Sequence, residues 1–148
     1  MALYISENLL DFIKHHGLST YPYECCGFLY GTDDGEHRTV QHVEKASNSR
    51  KGDQRRRFEI SPNEYLHAER QAAHLGYDLI GIYHSHPDHP SEPSEHDRSQ
   101  AMPFFSYVIV SINESVPGTC QSWRLQENRS FTEETITTEP SEEFVNNS

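Results

Sequence analysis

The sequence has little of what marks a membrane, secreted or disulfide-rich protein. None of its apolar runs approaches the ~18 residues of a membrane span, and its start lacks the basic and apolar segments of a signal peptide. It has 3 cysteines, an odd number without a C-x-x-C spacing, which argues against a disulfide framework and a cysteine zinc site. We therefore expect a cytoplasmic protein with reduced thiols and no membrane partner.

Positive charge is scarce as well. The 12 Lys and Arg residues are outnumbered by 23 Asp and Glu residues, so the formal net charge is -11. This balance argues against a general affinity for nucleic acid. One basic cluster comprises Arg50, Lys51 and Arg55 to Arg57, and taken alone it is typical of a solvated loop.

The length of 148 residues favours one domain, in which 34% hydrophobic residues must supply the core. We expect residues 1–137 to form this domain and the acidic, polar residues 138–148 to form a disordered tail. No pattern in the sequence specifies an oligomeric state.

Local patterns predict three helices and several strands. The helices are expected to begin after Ser6, Ser61 and Ser94, and the first two to end at Gly17 and Gly76. A glutamate three residues after Ser61 predicts a capping box. Short apolar runs predict strands at CCGFLYG, RTVQHVEKA, YDLIGIYHSH, FFSYVIVSI and CQSWRLQ, with FTEETITT as a further edge strand.

The stretch GIYHSHPDHPSEPSEHD, residues 81–97, holds the strongest candidate site. His84 and His86 are two residues apart, so on an extended strand both rings point to one face and can bind one metal ion. Asp97 is the candidate third ligand, because the prolines between keep the chain extended until a helix can return it. Two imidazoles and one carboxylate leave the fourth zinc position open for water, as in catalytic sites.

An alternative reading explains part of this pattern without a metal. SEHD is itself a capping pattern, with Ser94 as the cap and Asp97 at the third helical position. His89 and His96 have no assigned ligand role, and exposed positions are the simpler interpretation for both.

A zinc hydrolase also needs a second carboxylate to take up and return a proton. Glu92 and Glu95 are near in sequence, but Glu24 is the better candidate, since it precedes an apolar strand where an unpartnered carboxylate would be costly. Cys25 and Cys26 follow it, and packing explains them better than thiol chemistry.

YPYECCGFLYG followed by this stretch resembles the JAMM (MPN+) zinc metalloproteases of the JAB domain type. Their motif is Glu, then His-Ser/Thr-His, seven residues, Ser, two residues and Asp, and every position is filled. The resemblance implies that His84, His86 and Asp97 bind zinc, that Glu24 is the general acid/base and that Ser94 hydrogen-bonds the oxyanion. It also implies a single α/β domain of the cytidine deaminase-like type, with a mixed, mainly antiparallel curved sheet flanked by helices.

ASN at residues 46–48 and RFEISPNEY further resemble the small prokaryotic members that act on ubiquitin-like sulfur carrier proteins. This resemblance implies hydrolysis of an amide bond at the carrier's C-terminal Gly-Gly end, with release of cysteine as one form. The basic cluster could then recognise the carrier or its carboxylate. The alternatives are a non-catalytic MPN-type scaffold that binds a ubiquitin-like partner, and a zinc nucleoside deaminase, whose P-C-x-x-C ligands are absent.

Overall fold

The computed structural model describes residues 1–138. The predicted tail lies outside the described residues except for its first position, so the domain boundary at residue 137 stays a prediction. The elements follow the chain as β1 (Ala2–Tyr4), α1 (Glu7–Thr20), β2 (Cys26–Asp33), β3 (His37–Ala46), α2 (Pro62–Leu75), β4 (Asp78–Pro87), α3 (Glu95–Gln100), β5 (Ser106–Asn113), β6 (Val116–Leu125) and β7 (Phe131–Thr137).

The strands form one closed sheet in the order β1-β3-β2-β4-β5-β6-β7. Neighbouring strands are antiparallel, except that β1 runs parallel to β3 and β7, and β4 runs parallel to β5. The predicted mixed, mainly antiparallel sheet is confirmed. The sequence analysis missed β1, because a strand of 3 residues is too short to show a period, yet this strand closes the ring.

Apolar side chains pack in two layers, one on each face of the central strands. The layer beneath α1 includes Ile13, Leu29 and Val110, whereas the layer beneath α2 includes Phe28 and Ala68. Leu29 and Phe28 are neighbours on β2, so the alternation of side chains along a strand divides them between the two layers. Central strands with both faces covered explain the short apolar runs in the sequence.

The first helix begins as predicted but ends later. The Ser6 side chain accepts a hydrogen bond from the Leu9 N–H at 3.3 Å, and the helix continues through Gly17 to Thr20. The prediction that Gly17 ends the helix is therefore wrong. Gly17 is buried, and a Cβ there would lie 3.1 Å from the side chain of Ile112 on β5. The absence of a side chain at Gly17 therefore allows α1 to pack closely against the sheet.

The other two helices both begin with a serine cap, but only α3 has a complete capping box. Ser61 accepts a hydrogen bond from the Glu64 N–H at 3.2 Å, but the Glu64 carboxylate accepts from the Ser47 N–H at 3.0 Å, so the predicted capping box is only half formed. Gly76 ends α2 in the left-handed conformation, as predicted. At α3, Ser94 and Asp97 form a complete capping box.

Within residues 1–138, none of the helices has both the length and the apolar content that crossing a membrane would require.

Candidate active site

The two central histidines lie at the carboxyl end of β4. This strand pairs with β2 on one side and β5 on the other, and its residues from Ile80 to Pro87 are buried. The rings of His84 and His86 lie with their centroids 5.0 Å apart. The structure therefore brings the two imidazoles together as their spacing in an extended strand predicts.

Glu24 reaches the same place from β2. Cys26, the first residue of β2, pairs in register with His84, so Glu24, two residues earlier, lies beside the end of β4. Glu24 Oε1 lies 3.5 Å from His84 Nδ1, and Glu24 is only 3% exposed. The carboxylate that the sequence analysis selected therefore contacts the first of the two histidines.

Ser85 holds these two strands in place, a role that the sequence analysis did not assign. Its side chain is fully buried, and Ser85 Oγ accepts a hydrogen bond from the Cys25 N–H at 2.9 Å. The Ser85 N–H donates to the Cys25 carbonyl at 3.2 Å. A hydroxyl in the middle of an apolar strand was the available signal, because buried polar groups need partners.

Asp97 faces both histidines from the first turn of α3. Its Oδ1 lies 3.9 Å from His84 Nε2, and its Oδ2 lies 2.9 Å from His86 Nε2. Oδ2 also accepts from the Ser94 N–H at 2.9 Å, while Ser94 Oγ accepts from the Asp97 N–H at 3.0 Å. Asp97 can therefore cap the helix and also bind a metal ion, since one oxygen closes the cap and the other faces His84.

Asp97 and His86 each stabilise the charged form of the other. Burial would raise the pKa of Asp97, but His84, His86 and the Ser94 N–H together hold that pKa well below its usual range. Burial would lower the pKa of His86, but its hydrogen bond and charge interaction with Asp97 and the Pro90 carbonyl raise it. The cluster therefore stabilises a negative charge on Asp97 and a positive charge beside it.

The orientation of His86 is set by the loop after β4. His86 Nδ1 lies 2.8 Å from the Pro90 carbonyl oxygen. A carbonyl only accepts, so Nδ1 carries the proton and donates it, which turns Nε2 towards Asp97. A backbone carbonyl in this position is the usual partner of a metal-binding imidazole.

The unpaired atoms of the cluster test whether a metal ion fits. Among residues 1–138, four buried atoms here make no hydrogen bond: Glu24 Oε1, both ring nitrogens of His84, and Asp97 Oδ1. Each unpaired buried polar group costs about 1–3 kcal/mol, and a bound cation would satisfy several together. Glu24, His84 and His86 also offer ligand atoms that all lie within 4.8 Å of one another. Imidazole and carboxylate donors suit a divalent ion, so this group could hold a metal.

A cleft of about 440 Å³ opens beside this cluster. It is lined by Glu24, His86 and Ser94 on the cluster side, and by Arg56 and Arg57 of the basic cluster. A smaller cavity of about 160 Å³ touches the other side of the cluster, and its lining residues include His84, Asp97, Phe58, Ile60, Tyr65 and Tyr107. The Phe58 and His84 rings have centroids 4.5 Å apart, so an aromatic wall supports that imidazole.

The basic cluster is tied to Glu24 through the backbone, which its composition did not indicate. The Glu24 N–H donates to the Gln54 carbonyl at 2.7 Å, and Asn48 Nδ2 donates to the Glu24 carbonyl at 3.3 Å. Asn48 Nδ2 also donates to the Arg57 carbonyl at 3.1 Å. These hydrogen bonds therefore hold the loop that carries the arginines in a fixed position relative to Glu24, the candidate base.

Tethers to β5 and β6 hold the loop between His86 and Ser94. Trp123 Nε1 donates to the Ser91 carbonyl at 3.0 Å, and Ser91 Oγ donates to Gln121 Oε1 at 2.7 Å. Ser111 Oγ donates to the His89 carbonyl at 2.6 Å. These contacts place the Pro90 carbonyl against His86, and no local sequence pattern predicted them.

Packing explains the cysteines, whereas His89 and His96 have no assigned role. Cys25, Cys26 and Cys120 are free, and burial raises the pKa of Cys25 to about 11 and of Cys120 to about 12. Protonated thiols, buried at Cys25 and Cys26 and partly buried at Cys120, agree with a packing role. His89 is exposed as expected, whereas His96 is half-buried and its Nε2 is unpaired; both line the cleft without belonging to the group of candidate metal ligands.

Comparison with known proteins places this chain in a family. Residues 6–126 match the family described as prokaryotic homologs of the JAB domain. The chain therefore belongs to this family, and the JAB domain resemblance of its sequence is confirmed.

Its relatives include two proteins named desampylase. The one from Haloferax volcanii is 31% identical over 124 residues, which cover 83% of this chain and 86% of that protein. The one from Pyrococcus furiosus is 30% identical over 122 residues, covering 82% and 81%. The solution structure of a Desulfitobacterium hafniense protein has a TM-score of 0.81 at 29% identity, covering 95% of this chain and 94% of that one.

Proposed function

We propose that this chain is a zinc-dependent metallopeptidase that hydrolyses an amide bond at the C-terminal Gly-Gly end of a ubiquitin-like sulfur carrier protein, releasing cysteine in one form of the reaction. The observation that carries the proposal is the set of unpaired, buried donor atoms on Glu24, His84 and Asp97 beside an open cleft. The two desampylase relatives support the same class of hydrolase.

In this proposal His84, His86 and Asp97 hold the zinc ion. When bound there, zinc would lower the pKa of a water from ~16 towards ~7 and polarise the substrate carbonyl. His86 is prepared for this role, because its Nδ1–H donates a hydrogen bond to the Pro90 carbonyl and Nε2 is left on the cluster side. Asp97 is prepared as well, since the cap occupies only Oδ2.

Glu24 is the proposed general base and acid. Its unpaired Oε1 would accept a proton from the attacking water and return it to the leaving nitrogen. Its position is well defined for this task, because its backbone N–H donates to the Gln54 carbonyl and its carbonyl accepts from Asn48, and both partners lie in the loop that carries the basic cluster. Burial keeps bulk water from competing for the carboxylate.

Ser94 is the proposed donor to the oxyanion. Its Oγ accepts the capping hydrogen bond from the Asp97 N–H, so its own O–H proton remains available. Ser94 is exposed to the cleft that Glu24 and His86 also line. A hydroxyl anchored through its acceptor side is oriented to donate to a developing negative charge.

The alternative function is a non-catalytic scaffold that binds a ubiquitin-like partner. The same unpaired donor atoms disfavour it, because a scaffold gains nothing from burying an unsatisfied carboxylate and imidazole. The two functions differ in a single variant, Glu24→Gln, which removes proton transfer but leaves the proposed zinc ligands.

The test is to measure zinc content and, by mass spectrometry, cleavage of sulfur carrier proteins extended by one residue past Gly-Gly. Wild type should hold zinc and cleave, and Glu24→Gln should keep zinc while kcat falls about 10²–10⁴-fold. Glu69→Gln, on the exposed surface of α2, is the matched control and should cleave like wild type. A folded wild-type chain that takes up no zinc would contradict the proposal. Carrier binding without cleavage would favour the scaffold.

A further inference from the structure

Two arginines of the basic cluster lie at the cleft without a direct ion pair to any described residue. Arg56 and Arg57 line the cleft together with Glu24, His86 and Ser94. Within residues 1–138, neither guanidinium makes an ion pair or a side-chain hydrogen bond, although the cleft also holds Glu92.

The other arginines of the cluster already have structural partners. Arg50 Nη1 pairs with Glu59 Oε1 at 2.5 Å, and the Arg55 guanidinium lies over the Tyr23 ring, 5.9 Å from its centroid. Arg56 and Arg57 are therefore the two arginines of the cluster that remain free to bind something else, and unlike Lys51 they line the cleft. A planar guanidinium recognises a carboxylate with two parallel hydrogen bonds, which selects that group over an uncharged one.

The backbone of the segment that carries these two arginines is tied to the backbone of Glu24. Asn48 Nδ2 bridges the carbonyls of Glu24 and Arg57, at 3.3 and 3.1 Å. Asn48 Oδ1 accepts from the N–H groups of Arg50 and Glu59, at 3.0 and 3.2 Å. One asparagine thus fixes both ends of the arginine-bearing segment relative to Glu24, which a freely solvated loop would not do.

Two kinds of substrate differ in whether a carboxylate lies close to the bond that is cut. In a carrier extended past Gly-Gly by a single amino acid, the carbon bonded to the scissile nitrogen carries a free carboxylate. In a carrier joined to a lysine side chain, a chain of methylenes separates the scissile nitrogen from the backbone, and the lysine carboxyl is part of a peptide bond. Only the first substrate places an anion close to Glu24.

We propose that Arg56 and Arg57 bind the free α-carboxylate of the residue that is released, and so select carriers extended by one C-terminal amino acid over lysine-linked conjugates. This selectivity rests on the proposed peptidase function and names its preferred substrate class. The carboxylate is a binding determinant only, because the proton chemistry belongs to Glu24.

Binding without turnover tests this selectivity directly. Zinc-loaded Glu24→Gln protein is titrated calorimetrically with a synthetic peptide ending in Gly-Gly-Ala, as the free acid and as the C-terminal amide. The acid should bind about tenfold more tightly, and raising the salt concentration should reduce the difference. Adding Arg56→Gln and Arg57→Gln should abolish the preference, whereas Arg70→Gln, an exposed arginine on α2, should preserve it.

The outcomes separate this inference from the proposed function. Equal binding of acid and amide, or a preference that survives loss of both arginines, would overturn the carboxylate assignment while leaving the peptidase intact. A catalytic comparison adds a second measurement on the wild-type background. There the double arginine variant should raise KM for the linear substrate about tenfold and leave kcat and the cleavage of a lysine-linked substrate unchanged. An equal loss on both substrates would contradict the inference.

Discussion

The hydroxyl of Ser85 accepts a hydrogen bond from the backbone N–H of Cys25 over 2.9 Å. Because Ser85 lies between His84 and His86, its side chain leaves β4 on the face opposite to both imidazoles. The bond therefore joins the residue after Glu24 to the residue between the two histidines. This contact therefore helps to set the separation of the proposed base from the proposed zinc ligands.

Replacing Ser85 with alanine should displace Glu24 and leave the Cys25 N–H unpaired. We expect a loss of about 1–3 kcal/mol in the free energy of unfolding and a fall in kcat of up to about 100-fold, because a small misplacement of a catalytic group is costly. Zinc content should not change. Ser85→Thr keeps the hydroxyl and should retain most of the activity. An alanine variant with wild-type kcat would show that the contact does not position Glu24.

The parts of the site that could be predicted are those set by local geometry. His84 and His86 share a face because a strand alternates, and Ser94 and Asp97 meet because a helix cap brings its third residue back. Asn48 and Trp123 act through contacts with Glu24 and Ser91, which are distant in sequence, so no periodic pattern reveals them.

Helix ends and sheet closure were the least predictable parts of the fold for a related reason. Gly17 is typical of a helix end by its own conformational preference, yet contact with Ile112 on β5 determines its place inside α1. Likewise β1 is defined by its partners β3 and β7 and not by its own 3 residues. In both cases tertiary packing decides the structure, and it overrides the local signal.

Acidification should destabilise the fold through His16. Its Nδ1 lies 2.7 Å from the Tyr83 hydroxyl, and burial, with a smaller effect of Lys45, lowers the pKa of His16 from 6.5 to about 4. Because the unfolded chain takes up this proton first, the neutral ring's contribution is complete above about pH 6.5 and is lost as the pH falls towards 4. The resulting loss in the free energy of unfolding between pH 7 and pH 5 is roughly 1 kcal/mol, after a reduction for solvent screening of His16.

The measurement is urea unfolding at both pH values for wild type and His16→Gln. The glutamine carbonyl can still accept from Tyr83 but does not titrate, so the variant should lose about 1 kcal/mol less than wild type on acidification. Other histidines titrate equally in the two proteins and cancel in the difference. The same pH dependence in both would show that His16 does not contribute.

Trp123→Phe should loosen the loop that orients His86. Phenylalanine keeps an aromatic ring but cannot donate to the Ser91 carbonyl, which Trp123 Nε1 reaches at 3.0 Å. We expect about 1 kcal/mol less stability and a fall in kcat, because the neighbouring Pro90 carbonyl accepts the hydrogen bond from His86 Nδ1–H that orients the ring. Thr132→Val, on the exposed surface of β7, is the control. Unchanged kcat in Trp123→Phe would limit that tether to a structural role.

Asp97 and Glu24 both lie against His84, and their variants decide which of them binds the metal. If the ligands are His84, His86 and Asp97, zinc should raise the melting temperature of wild type and Glu24→Gln, and Asp97→Asn should bind zinc more than about tenfold more weakly. Asp97→Asn also disturbs the α3 cap, so Ser94→Ala is the matched variant; it loses the hydroxyl that caps α3, at a cost of about 1 kcal/mol, but keeps zinc. The opposite pattern, with zinc lost in Glu24→Gln and kept in Asp97→Asn, would assign the metal to Glu24, His84 and His86, whose ligand atoms lie within 4.8 Å of one another. Glu24 could then not be the free base, so the same titrations also test the proposed division of roles.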